Sequence, residues 1–235
     1  SHRFDAASGI GRLADAVNAG SMSGLRTVRD VVPPDLAWLN LAADSQALAR
    51  LALDGACGAF AGQGQGRIDR GEPVAPPVGY RHYLERLRAR RPPADADAEA
   101  WDAWAREVLG AYGQFQVLCA VRQGAHGMEG LNQRIADLLC VEGLTSAAQG
   151  WYEGRPVMVT RNDYALGLMN GDVGITLQVP RRRGADPTAT GVILRVAFAA
   201  GDGSNGIHWV LPSRLQAVET VYAMTVHKSQ GSEFT

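Results

Sequence analysis

One stretch of the 235-residue chain gathers side chains suited to phosphate: Met224-Thr225-Val226-His227-Lys228-Ser229-Gln230-Gly231-Ser232-Glu233-Phe234. Thr225 and Ser229 can donate hydrogen bonds, Lys228 offers a mobile point charge, and Gly231 lets backbone approach a ligand. Chemistry alone leaves two readings open, a phosphate-contacting loop and a merely polar strand end. Lys228 is the only Lys among 23 basic residues. An ATP-cradling loop of the form G-x-x-x-x-G-K-[ST] would have to use it, and no G-x-x-x-x-G precedes it. These residues therefore hold no complete phosphate-binding loop of that kind.

Other chemistries find less support. Cys57, Cys119 and Cys140 are far apart and form no C-x-x-C pair, which speaks against a zinc ribbon or a disulfide framework and suggests a reducing cytoplasm. The five His are scattered singly, so no metal site is expected. No nuclease-like cluster of carboxylates is evident. A net charge of −1 argues against a polybasic module, though not against a local basic groove. No apolar run approaches the roughly 18 residues of a spanning helix, and no signal peptide is recognisable. The densest basic cluster, Arg81, Arg86, Arg88, Arg90 and Arg91, reads as a solvated helix face before it reads as a DNA surface. Arg181-Arg182-Arg183 reads as a hairpin cap that touches phosphate or only solvent. Asn162, Asp163, Asn170, Gly171 and Asp172 are turn formers before they are contacts, and Trp101, Trp104, Trp151 and Trp209 are core before they are base-stacking platforms.

The elements that must position the phosphate-suited string follow from periodicity. Ser8 to Gly20 reads as a helix, with Ser8 as N-cap and Ile10, Leu13, Ala14 and Val17 as its apolar stripe. Val32 to Ala61 has helical Leu spacing, and Gly62 to Gly79 reads as a surface loop. Helices are expected over Tyr80 to Arg90 and Glu99 to Tyr112. Phe115 to Val121 is a compact apolar run typical of a buried parallel strand, followed by a turn and a helix carrying Leu131, Ile135, Leu138 and Leu139. Short strands are then expected over Pro156 to Thr160, Ala165 to Met169, Val173 to Val179, Val192 to Ala199 and Ile207 to Leu211, in the pattern of a small antiparallel barrel. Thr220 to Val226 reads as a strand returning to the main sheet. The fold class is α/β.

The string T-V-H-K-S-Q-G-S-E-F resembles motif V of superfamily 1 DNA helicases, and specifically of the RecD family, the alpha chains of exodeoxyribonuclease V. Three other stretches agree. Ser1-His2-Arg3-Phe4 with Ser8-Gly9-Ile10-Gly11-Arg12-Leu13-Ala14 resembles the motif IV region, although the family has an aromatic at the position of His2. Leu118-Cys119-Ala120-Val121-Arg122, through Gly127 to Leu131-Asn132, resembles the strand and helix start before the inserted barrel. Trp151 to Met158, with Arg161-Asn162-Asp163 and Asn170-Gly171-Asp172-Val173-Gly174, resembles the barrel's entry. The segment from about Ser21 to Tyr112 matches least.

The resemblance implies a RecA-like (P-loop NTPase-type) second motor domain. Its first part would cover 1–150 with a helical insert at about 21–112. An SH3-like β-barrel insertion would cover 151–215, and 216–235 would hold the return strand and motif V. It further implies that Arg3 reaches the nucleotide phosphates, with Gly231 and Glu233 also near the nucleotide. Thr225, His227, Lys228, Ser229 and Gln230 would face single-stranded DNA. The parent would be an ATP- and Mg²⁺-dependent 5′–3′ helicase subunit working with RecB- and RecC-type partners in double-strand-break repair. With the Walker residues and motif VI missing, the chain is expected to be an excised fragment without ATP hydrolysis of its own. A stand-alone RecD-like or relaxase-type helicase and a non-enzymatic assembly domain are the alternatives.

Overall fold

A computed structural model of the chain describes residues 8–40, 46–60, 68–69, 72–73, 77–181, 191–201 and 205–229. They divide into two compact units, Ser1–Gly79 and Tyr80–Thr235.

In the first unit, α1 (Gly9–Asn18) starts where its cap demands. Ser8 Oγ accepts from Gly11 N at 3.0 Å, and the Asp35 carboxylate accepts from Gly9 N and Ile10 N, each at 3.0 Å. Three amides that a helix start leaves unpaired are thus satisfied. The expected apolar stripe is not the face this helix buries. Gly9, Gly11 and Ala16 are buried, whereas Val17 is 59% exposed. Small residues win here because the chain approaches too closely for bulk: a Cβ on Gly9 would lie 2.3 Å from Asp35 Oδ1. Helix α2 (Met22–Val31), capped by Ser21 Oγ, packs against α1. Among the described residues, the helical reading of Val32 to Ala61 holds over α3 (Ala47–Asp54) and a single 3-10 turn, Cys57–Ala59. Residues 33–40 contain no helix, since Pro33 and Pro34 remove amide donors and push the preceding residue out of helical geometry. Within the expected loop, β1 (Ile68–Asp69) and β2 (Glu72–Pro73) form a minimal antiparallel pair.

The second unit opens with α4 (Tyr80–Ala89) and α5 (Ala98–Tyr112), which match the two expected helices and pack on each other. Asp97 Oδ1 caps α5 by accepting from Ala100 N at 2.9 Å. The short strand β3 (Val117–Cys119) leads through a turn into α6 (Met128–Val141). Four strands follow, β4 (Pro156–Val159), β5 (Val173–Pro180), β6 (Val192–Ala199) and β7 (Ile207–Val210). The residues expected to form one return strand form two. β8 (Val218–Thr220) pairs antiparallel with β4, and β9 (Ala223–Thr225) pairs parallel with β3.

The antiparallel sheet runs β7-β6-β5-β4-β8. Among the described residues β7 and β8 remain its two edges, so the hydrogen-bonded ladder is open and the expected closed barrel is not seen. Ala165 to Met169 contributes an isolated bridge, Asp163 to Leu168, instead of a strand. Asp163 Oδ1 accepts from Leu166 N at 3.1 Å, a local bond that draws the backbone into a turn. One face of the sheet buries Val157, Val159, Val196, Phe198 and Val210 against Leu166 and Leu168. Gly174 is required on that face, because a Cβ there would sit 2.6 Å from the Phe198 ring. The opposite face meets α5.

Two further readings are settled by contacts. Arg86 pairs with Glu107 at 2.7 Å and Arg91 with Glu153 at 2.6 Å, while Arg88 donates to the carbonyls of Gly143 and Leu144 at 2.7 Å each. Arg86, Arg88 and Arg90 are nonetheless exposed, as the expected solvated face requires. Trp101 and Trp104 are buried edge to face, and Trp209 Nε1 donates to Asp102 Oδ1 at 2.7 Å. No group of three or more metal-ligating side chains occurs among the described residues, and no described helix is long and apolar enough to cross a membrane.

Candidate nucleic-acid interface

The phosphate-suited string begins on β9. Its register with β3 (Val117 to Ala223, Leu118 to Met224, Cys119 to Thr225) places both strands parallel, and Val226 N donates to Cys119 O at 3.0 Å to end the pair. The chain then turns sharply. Lys228 N and Ser229 N both donate to Thr225 O, at 2.9 and 3.3 Å. Residues 226–229 are thus fixed to the C-terminal end of the strand. A ligand meets a parallel sheet at that end in open α/β folds.

What precedes β9 is held unusually firmly. Val221 and Tyr222, which link β8 to β9, are buried with Tyr80, Tyr83 and Tyr112. The Tyr80 hydroxyl donates to Tyr222 O and the Tyr112 hydroxyl to Val221 O, while Gln116 Nε2 donates to Tyr222 O at 3.0 Å. Tyr83 donates to Gly154 O at 2.8 Å, and the Tyr152 and Tyr222 hydroxyls lie 3.2 Å apart. Burial in this aromatic cluster pushes the tyrosine pKa values above their ordinary range, so all four fully enclosed phenols stay neutral donors. Asn132 of α6 completes the clamp. Its Nδ2 donates to Ala223 O and its Oδ1 accepts from Ala223 N, each at 2.9 Å.

The side chains of the turn are arranged as follows. His227 is exposed, and Thr225, Lys228 and Ser229 are half-buried. Ser229 Oγ donates to Val226 O at 2.8 Å, so its proton is spent within the turn. Lys228 Nζ lies 2.8 Å from Glu219 Oε1, and the other oxygen of that carboxylate lies 2.8 Å from Arg122 Nη2. Arg122 Nε in turn faces Glu129 Oε1 at 3.3 Å. Next to this chain of charges is a cavity of about 340 Å³ lined by Arg122, Glu129, Asn132, Gln133, Glu219 and Thr220. Of the residues singled out by sequence, Thr225, His227, Lys228 and Ser229 are thus together on one turn. Arg3, Gln230, Gly231 and Glu233 lie outside the described residues. Glu219 was not anticipated, because it lies nine positions before Lys228 in the chain and only the β8–β9 crossover brings them together.

Comparison with known proteins bears on what such a turn serves. No protein-family model matches the chain. A RecBCD enzyme subunit RecD of Haemophilus influenzae is 28% identical over the whole chain, which covers 31% of that protein. The RecD subunit of Mycolicibacterium smegmatis is 38% identical over 54% of the chain and 20% of its own length. The chain is similar to one stretch of RecD. An ATP-dependent RecD2 DNA helicase of Deinococcus radiodurans also matches, at 35% identity over 54% of the chain and 16% of that helicase. The chain therefore spans between a sixth and a third of the length of these curated relatives. The RecD likeness agrees with the mixed helix-and-sheet architecture.

The turn-forming residues of the antiparallel sheet behave as local chemistry dictates. Met169 N donates to Asp172 Oδ2 at 2.7 Å and Asn170 N to Asn162 Oδ1 at 2.8 Å, while Gly171 takes φ +100°. These groups are committed to the backbone around them. Arg181 is exposed, and Arg182 and Arg183 lie outside the described residues.

Proposed function

We propose that this chain supplies part of the second RecA-like motor domain of an ATP-dependent 5′–3′ DNA helicase subunit of the RecD type, acting with RecB- and RecC-type partners in double-strand-break repair in the cytoplasm. The observation that carries the reading is the parallel β3–β9 pair ending in a turn whose sequence is T-V-H-K-S. In this reading Thr225, His227, Lys228, Ser229 and Gln230 contact the sugar-phosphate backbone of single-stranded DNA. Arg3, Gly231 and Glu233 face ATP and its Mg²⁺ in the full-length protein. Gripping phosphates on one domain while nucleotide opens and closes the adjoining cleft turns binding energy into steps along the strand. The five-stranded sheet takes the place of the SH3-like insertion, and the helices from 21 to 112 that of the helical insert. Domain limits of 1–150, 151–215 and 216–235 belong to the same proposal. With no phosphate-binding loop in its 235 residues, the chain alone does not hydrolyse ATP.

The test is a titration of fluorescein-labelled oligo(dT) with the wild-type chain and with Lys228→Ala, followed by anisotropy across a range of KCl concentrations. Removal of one phosphate contact lowers affinity at low salt and flattens the slope of log affinity against log salt by about 0.7. Equal affinities and equal slopes would remove Lys228 from the contact set and with it the reading of the turn.

A further inference from the structure

Glu219 stands where no phosphate-binding site needs an anion. Its carboxylate is only 16% exposed, and it spends one oxygen on Lys228 Nζ and the other on Arg122 Nη2, both at 2.8 Å. It belongs to β8, the edge strand of the antiparallel sheet, whereas Lys228 belongs to the turn after β9. Between the two strands lie only Val221 and Tyr222, whose carbonyls are held by tyrosine hydroxyls. Glu219 is therefore anchored, and Lys228 is the flexible partner that reaches back to it. Lys228 is 27% exposed in its side chain, so it is neither locked in a core nor free in solvent.

We infer that Glu219 is a positioning residue for the proposed DNA contact, occupying Lys228 when no strand is bound and yielding it to an incoming phosphate. The inference rests on the reading of Lys228 given under Proposed function. A phosphate diester and the Glu219 carboxylate offer the same chemistry to an ammonium, an anionic oxygen at hydrogen-bond distance. They compete for one point charge whose long stem can swing between them. The exchange sets the affinity of the turn below what a free lysine would give. It also ties that affinity to the antiparallel sheet, since any displacement of β8 moves the competitor. Arg122, which also faces Glu129, keeps the Glu219 carboxylate from being left unpaired when Lys228 departs.

The experiment is the same oligo(dT) titration against KCl, with wild type, Glu219→Gln, Lys228→Ala and the double variant, each checked by a thermal melt. Glu219→Gln keeps the shape and removes the charge. It is expected to tighten binding at low salt by about 1.5- to fivefold, the range for relief of one partly exposed ion pair. In the double variant the gain disappears. If Lys228→Ala weakens binding while Glu219→Gln leaves affinity unchanged or weakens it, the turn binds DNA but Glu219 is no competitor, and the inference fails. If Lys228→Ala changes nothing, the underlying reading fails instead. A gain that survives Lys228→Ala would place the effect on Arg122 and overturn the assignment. Should Glu219→Gln melt out, Glu219→Asp, which draws the charge back by one methylene, takes its place and must shift affinity in the same direction.

Discussion

Replacing Asn132 by Ala is the sharpest structural perturbation available, because it unclamps β9 without touching the turn that follows. The side chain is 7% exposed and satisfies both backbone groups of Ala223, N–H and C=O, at 2.9 Å each. Ala223 is fully buried on the strand that carries Thr225. Truncation leaves two buried backbone groups without partners, at about 1–3 kcal/mol each. Asn132 also lines the cavity of about 340 Å³, from which water can reach the freed groups. That access favours the lower half of the summed range, about 2–4 kcal/mol. At roughly 2–4 °C per kcal/mol for a unit of this size, Tm falls by about 4–16 °C. Urea unfolding followed by circular dichroism reads the change as a lower midpoint at unchanged m-value. A loss below about 1 kcal/mol would refute the reasoning, since it would mean that the two bonds carry no more than an exposed pair does.

Two further outcomes follow from burial. Thr176 Oγ1 is enclosed on the core face of β5 and has no hydrogen-bond partner among the described residues, so Thr176→Val, which keeps the shape and removes the stranded hydroxyl, stabilises the unit by about 1 kcal/mol; a lower urea midpoint would contradict this. The raised folded-state pKa values of Tyr80, Tyr83, Tyr112 and Tyr222 make stability fully present below the unfolded tyrosine value of about 10 and progressively lost as pH rises above it. Tyrosinate absorbance near 295 nm and far-ultraviolet circular dichroism recorded together should then change in one concerted step above about pH 10, and ionisation of these four phenols with the dichroism intact would show that the cluster is open to solvent.

Where local pattern and packing agree, sequence reading located the elements to within a residue or two. α5 begins at an Asp cap and buries Trp101, Trp104 and Val108 on one face at helical spacing, and β5 and β6 are rich in β-branched residues. α1 was placed correctly and its buried face was not. Its apolar stripe pointed one way, but close approach to Asp35 required glycines, a tertiary demand invisible to periodicity. α2 went unread because Ser, Gly, Thr and Asp dilute its pattern, and its cap at Ser21 gave the only strong cue. The strand expected from Thr220 to Val226 holds no Gly, Pro or charged residue, so nothing in it marks the break at Val221 and Tyr222. That break is imposed by tyrosine hydroxyls from α4 and α5, more than 100 residues upstream. In the candidate site, the donors of the turn were legible as residue types. Their present partners were not, since Glu219 reaches Lys228 only through the crossover between two sheets.

The central claim is that single-stranded DNA meets this chain at the turn following β9. Amide hydrogen exchange followed by mass spectrometry, with and without saturating oligo(dT), tests it most directly. Bound oligo(dT) should slow exchange in peptides that contain residues 225–229 and leave those covering α1 and α2 unchanged. Protection confined to other segments, or none despite measured binding, would contradict it.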